Sequence, residues 1–160
     1  MFNTGDIAVY PAHGVGIIES VETKEISGEE MSFLTMRILD NDMTIMVPMS
    51  NIDKVGLREV IDTKQIKEVF KILGAESPKL DGKTWNKRFR EYSEKIKIGS
   101  PADIAEVMRD LMNLKNSKGL SFGERKMLDS VKNLLSQEIA LATDDKVSLV
   151  EEKMTKIFDN

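Results

Sequence analysis

The sequence has no cysteine and one histidine. Without thiols there can be no disulfide framework, no thiolate metal site and no cysteine nucleophile. With one imidazole, a zinc site of the HExxH type cannot be assembled. Apolar stretches are short as well: none approaches the roughly 18 residues of a membrane span. The opening segment MFNTGDIAVY lacks the basic-then-apolar layout of a signal peptide. The absence of cysteine also fits a reducing compartment, so the expectation is a cytoplasmic protein without membrane contact. There is no internal repeat, no low-complexity tract and no GxSxG elbow for a serine nucleophile. Gly82-Lys83-Thr84 looks like the end of a phosphate loop, but Gly74 stands eight residues before Gly82 instead of five, and the segment joins two helical patterns. His13, in Pro11-Ala12-His13-Gly14, reads as the lock of a glycine turn. No cofactor, metal or catalytic constellation emerges, and an enzyme is not expected.

Positive charge is also in deficit, though unevenly. The chain carries 23 basic and 27 acidic side chains, a net charge of −4. Residues 1–60 hold 4 basic and 10 acidic side chains, whereas residues 61–142 hold 16 and 12. The densest basic stretch runs from Lys83 to Lys97. A nucleic-acid face on the second part alone is consistent with this distribution.

The hydrophobic period changes near residue 60. Before it, short alternating runs are separated by turns: Asp6–Tyr10, Val15–Thr23 with Val15, Ile17 and Val21 expected on one face, Met31–Leu39, and Met43–Val47 ending at Pro48. Strands at intervals of about ten residues suit a small antiparallel barrel, which hides its edges by curling. After residue 60 the period is 3.6. Asp62, Thr84, Ser100-Pro101 and Ser121 with Glu124 are helix-start signals, and glycines follow the stripes. The reading is therefore α+β in two domains. Residues 1–60 form a small antiparallel β-barrel of the SH3 or Tudor type, and residues 61–160 a compact all-α bundle of about five helices.

One constellation carries chemistry. Lys87, Arg88 and Arg90 lie within about a turn of Trp85, the only tryptophan. Cations beside an exposed aromatic suit phosphate neutralisation together with base stacking. The spacing Trp85, Phe89, Tyr92 is also that of a core stripe, and periodicity alone favours the core. Trp85 stands at the first helical position, where a stripe can outrun the core, so both readings stay open.

The ordered motifs Gly5-Asp6, Val9-Tyr10-Pro11, His13-Gly14-Val15-Gly16, Val47-Pro48 and Val55-Gly56-Leu57-Arg58-Glu59-Val60 resemble the CarD/CdnL family of bacterial transcription regulators. So do Trp85-Asn86-Lys87-Arg88, Glu106-Val107, Arg109-Asp110-Leu111, Gly119-Leu120-Ser121, Glu124 and Lys126-Met127-Leu128. The resemblance covers nearly the whole chain. The first part is also similar to the polymerase-binding module of the transcription-repair coupling factor. The resemblance implies a Tudor-like domain that docks on the β subunit of bacterial RNA polymerase, and a helical domain that contacts promoter DNA without sequence specificity at the upstream edge of the melted bubble. A tryptophan matching Trp85 would wedge into the minor groove and hinder bubble closure. Lys87, Arg88, Arg90 and Arg125 match basic positions of the DNA face. Lys24 and Met46 occupy positions where relatives carry arginine, so Lys24, Met46, Val47 and Pro48 are the expected polymerase contacts. The expected function is a monomeric transcription regulator that stabilises the promoter open complex. Its alternatives are an SH3-like peptide-binding adaptor and a nucleic-acid-binding protein acting without polymerase.

Overall fold

The structure, a computed structural model, describes residues 2–78 and 84–159. Most of the 77–82 linker and of the Gly82-Lys83-Thr84 motif, and Lys83 at the head of the basic stretch, lie outside the described residues. The chain divides into two compact units, with the boundary between Val60 and Ile61.

The first unit is an antiparallel meander of β1 (Ile7–Tyr10), β2 (Gly14–Ile26), β3 (Glu29–Ile38) and β4 (Thr44–Pro48), in spatial order β1-β2-β3-β4. A 3-10 turn (Met49–Asn51) and α1 (Ile52–Val55) then bring the chain back. Val9 and Arg58 exchange backbone hydrogen bonds of 2.8 and 3.1 Å, so the returning segment borders β1. The result is a curled four-stranded sheet, a half-barrel, around Ala8, Ile18, Leu34, Met36, Ile38 and Leu57. Alternation in β3 follows the sequence pattern, with Leu34, Met36 and Ile38 inward.

Strand β2 departs from it. A bulge between Ile18 and Ser20 shifts the register, and Val21 pairs opposite the inward Leu34 while Ile17 pairs opposite Arg37. Val15, Ile17 and Val21 therefore do not share a face, because one extra residue inverts the alternation beyond it. Gly16 is set by close packing: a Cβ there would lie 2.6 Å from Met36 Cε and 2.7 Å from the Arg37 carbonyl oxygen. His13 is exposed. Its backbone N–H donates to Tyr10 at 3.0 Å and its ring meets Tyr10 edge-on, with centroids 5.1 Å apart. The turn is thus held by backbone and ring contact.

The second unit contains α2 (Thr63–Leu73), α3 (Trp85–Ile98), α4 (Pro101–Ser117), α5 (Phe122–Thr143) and α6 (Val147–Lys156). Asp62 and Gln65 form a capping box, as do Ser121 and Glu124, and Thr84 and Ser100 accept from the third helical N–H of α3 and α4. Gly99 closes α3 in the left-handed region at φ 73°. Helix α4 packs against α2, α3 and α5, and α5 carries α6. Met108, Leu111, Val131, Leu135 and Met154 lie at the centre. The buried Glu138 carboxylate accepts from the Ile61 N–H at 2.7 Å, tying the first residue of the unit to α5.

Candidate functional site

Two surfaces bear the residues singled out by the sequence, one on each unit.

On the first unit, the pleat decides which side chains are presented. Lys24 pairs opposite Met31, and Met46 opposite Thr35. Met31 and Thr35 are four residues apart on β3, so Lys24 and Met46 emerge on the same outer face. Met46 is 50% exposed and lies on the edge strand β4. Pro48, opposite Phe33, is half-buried on that outer side. Val47 points inward opposite Leu34 and is only 2% exposed, so its side chain belongs to the core. The outer face is apolar at Met46, Phe33 and Met31 and charged at Lys24, which stands 4.0 Å from Glu22.

On the second unit, Thr84 caps α3 and puts Trp85 in its first helical position. Trp85 is half-buried, intermediate between the two alternatives its spacing allowed. Three contacts hold it. Phe89 meets the indole edge-on, with centroids 5.4 Å apart. The Arg88 guanidinium carbon lies 5.8 Å from the ring centroid. From α5, Gly123 approaches so closely that a Cβ there would touch the ring at 3.6 Å. The N-terminal turns of α3 and α5 are therefore neighbours, and the indole sits between them.

The basic residues separate by helix geometry. At 100° per residue, Arg88 and Phe89 flank Trp85, whereas Lys87 and Arg90 project from the other side of α3. Lys87, Arg90 and Arg125 are exposed. The Arg88 side chain is only 15% exposed and donates to Glu124 Oε2 at 3.3 Å. Burial would raise the Glu124 carboxyl pKa. Hydrogen bonds from Ser121 and Arg88 outweigh burial and hold it below the usual carboxylate range. The pair is thus ionised on both sides at neutral pH. Beneath it Tyr92 is buried, and its hydroxyl has no hydrogen-bond partner among the described residues.

Phe122 was not singled out by its sequence pattern. It is 69% exposed at the first position of α5, and Lys126 lies 5.3 Å from its ring centroid. The available signal was an aromatic directly after the Ser121 cap, outside the apolar stripe of α5. The arrangement offers half-buried and exposed rings among cations, with a fixed neutral ion pair beside them. Among the described residues no cluster of His, Asp or Glu could hold a metal ion, and no helix is long and apolar enough to cross a membrane.

Comparison with known proteins covers both units. The family model described as CarD, C-terminal domain, matches residues 68–155, and that described as CarD-like/TRCF RID domain matches residues 2–61. The Bacillus subtilis (strain 168) protein YdeB, which carries a transcription-factor name, is 37% identical over 159 residues, covering 99% of each chain. Two solved structures also match. The solution structure of the 72-residue N-terminal domain of Myxococcus xanthus CarD is 32% identical over 37% of this chain and 79% of that one, with a TM-score of 0.32. The CdnLNt structure from the same organism is 49% identical over 38% of this chain and 86% of that one, with a TM-score of 0.34.

Proposed function

This chain belongs to the CarD family of transcription regulators that interact with RNA polymerase, and from that premise we propose that it stabilises the promoter open complex. The first unit, residues 1–60, is the polymerase-docking domain. Its outer face at Lys24, Met46 and Pro48 meets the β subunit, and Val47 serves by fixing strand β4 from inside. The second unit, residues 61–160, contacts DNA without reading its sequence. Trp85 enters the minor groove at the upstream edge of the bubble, with Phe122 beside it. Lys87, Arg90 and Arg125 neutralise phosphates on either side. The protein acts as a monomer in the cytoplasm.

The observation that carries this reading is the half-buried indole at the tip of α3, set between two helix N-termini whose helices carry exposed cations on their other sides. An apolar wedge must be held from behind yet keep an edge free, and half-burial meets both needs. The acidic balance of the whole chain is compatible with it. Docking on polymerase raises the local concentration of the helical unit at DNA, so weak, salt-sensitive phosphate contacts suffice.

Trp85→Ala tests the reading. A fully buried tryptophan would cost about 3–5 kcal/mol on truncation. Half-burial lowers the expected loss to about 1–2 kcal/mol, while most of the gain in open-complex lifetime should vanish and polymerase binding should persist. Thermal melting, complex lifetime and polymerase co-purification are measured together. An unaltered lifetime would exclude Trp85 as the wedge.

A further inference from the structure

Arg88 is the one predicted DNA cation whose side chain is nearly buried, and it shares its ion pair with a nearly buried carboxylate. We infer that Arg88 and Glu124 are positioning residues for Trp85: they form a clamp that fixes the indole between α3 and α5, and Arg88 acts on DNA through Trp85 rather than by touching phosphate. This rests on the reading of Trp85 as the wedge.

Four observations support the clamp. First, Glu124 is itself immobilised: its carboxylate accepts from the Ser121 N–H at 3.0 Å while its own N–H donates to Ser121 Oγ at 3.3 Å, so the acceptor is part of the α5 cap. Second, one guanidinium reaches both partners, with its carbon 5.8 Å from the indole centroid and a nitrogen 3.3 Å from Glu124. A planar fork can bond in its plane and stack over a ring at once, which a lysine ammonium cannot. Third, Glu124 is the residue after Gly123, which faces the ring within van der Waals range of a side-chain carbon, 3.6 Å from an ideal Cβ to the indole. The bond that fixes Glu124 to Arg88 therefore also fixes the surface on which the indole rests. Fourth, the carboxylate is held ionised, so beside DNA it would repel phosphate unless compensated. Arg88 compensates it, and the pair contributes no net charge to the DNA face. Preorganisation is the gain: a wedge already held in one orientation loses less freedom on insertion.

Glu124→Gln separates this from a plain charge surface, because the two predict opposite signs. Glutamine preserves the capping box and can still accept from Arg88, so α5 keeps its start, while the melting temperature should fall modestly because the nearly buried guanidinium loses its counter-charge. The change makes the DNA face one unit more positive. If Arg88 and its surroundings acted only through charge, DNA contact would tighten and the open complex would live longer. The clamp predicts the reverse: lifetime on purified RNA polymerase and a promoter fragment should fall by roughly tenfold. In the free protein, acrylamide quenching of the single tryptophan should rise as the indole loosens. Arg88→Lys is the second variant. It keeps the charge, so it should keep the salt dependence of DNA binding while also raising quenching and shortening the lifetime.

An unchanged or longer lifetime with Glu124→Gln overturns the clamp, as does a shorter lifetime with unchanged quenching. Arg88→Lys with wild-type lifetime and quenching would likewise return Arg88 to the phosphate contacts. The underlying reading fails separately, if Trp85→Ala leaves the lifetime intact. The quenching result in free protein does not depend on that outcome.

Discussion

The two units solve the problem of presenting a functional surface in opposite ways. In the β unit every buried side chain at the centre is apolar, and the residues proposed to meet polymerase stand on the outer face of a sheet whose edge strand is short. In the helical unit the buried residues include Asp110, Glu124, Ser136 and Glu138, each with a hydrogen-bond partner among the described residues. A sheet presents alternate side chains automatically once its inner face is packed, so docking needs only register. Of these only Glu124 bonds Arg88 beside the Trp85 ring; Asp110, Ser136 and Glu138 are satisfied elsewhere in the unit.

That contrast can be broken most severely at Gly16. Alanine there would drive a Cβ to 2.7 Å from the Arg37 carbonyl oxygen, a backbone atom that cannot turn aside. Gly16→Ala should destabilise the β unit by about 1–3 kcal/mol and weaken polymerase binding with it. DNA binding by the second unit should be unaffected. Calorimetry of the full chain checks the first part and a DNA-binding titration the second.

A sharper variant leaves the β fold alone and alters only its outer face. Lys24→Glu combined with Met46→Glu should weaken polymerase binding by roughly tenfold or more, because charge reversal and a carboxylate on an apolar contact both oppose docking. The melting curve should be preserved, since both residues are exposed. Full-strength binding by the double variant would move the docking surface to another face.

The smallest effect probes the polar interior of the helical unit. The Tyr92 pKa is pushed up to about 12, first by burial and then by the negative charge of Asp110. The folded state therefore keeps the neutral phenol. The unfolded chain ionises at the ordinary value of 10.0, so this contribution is intact below pH 10 and is lost as pH rises towards about 12. Tyr92→Phe removes a hydroxyl that has no hydrogen-bond partner among the described residues, and should change stability at neutral pH by no more than about 1 kcal/mol. It should also abolish the extra loss in the alkaline range. A variant that melted like wild type at every pH would show that the hydroxyl is not the titrating group.

Much of the helical unit was legible because its signals are local. Asp62, Thr84, Ser100 and Ser121 each bond an N–H three residues ahead, a contact that the chain makes with itself whatever it later packs against. The 3.6-residue stripes through Ile104, Val107, Met108 and Leu111 and through Leu128, Val131 and Leu135 are buried as periodicity requires. Less of the proposed DNA surface was legible. Lys87, Arg88 and Arg90 look alike in sequence, yet one is nearly buried in an ion pair beside the indole and the others face outward. Phe122 gave only the weak signal of an aromatic beside a cap.

What the sequence determined by itself is the change of period near residue 60, the approximate course of the four strands and of the longer helices, and the identity of Trp85 as a residue with two possible environments. These follow from interactions between residues at most a few positions apart, where composition and spacing set the outcome. Tertiary structure alone decided that a bulge sends Val21 to the face opposite Ile17, that Val47 is core while Met46 is surface, and that Arg88 finds Glu124 at 36 positions' separation. No local preference encodes such pairings. They exist only when packed elements bring distant residues within hydrogen-bond reach, and the low polarity of the surroundings then makes an unmatched charge too costly to leave alone.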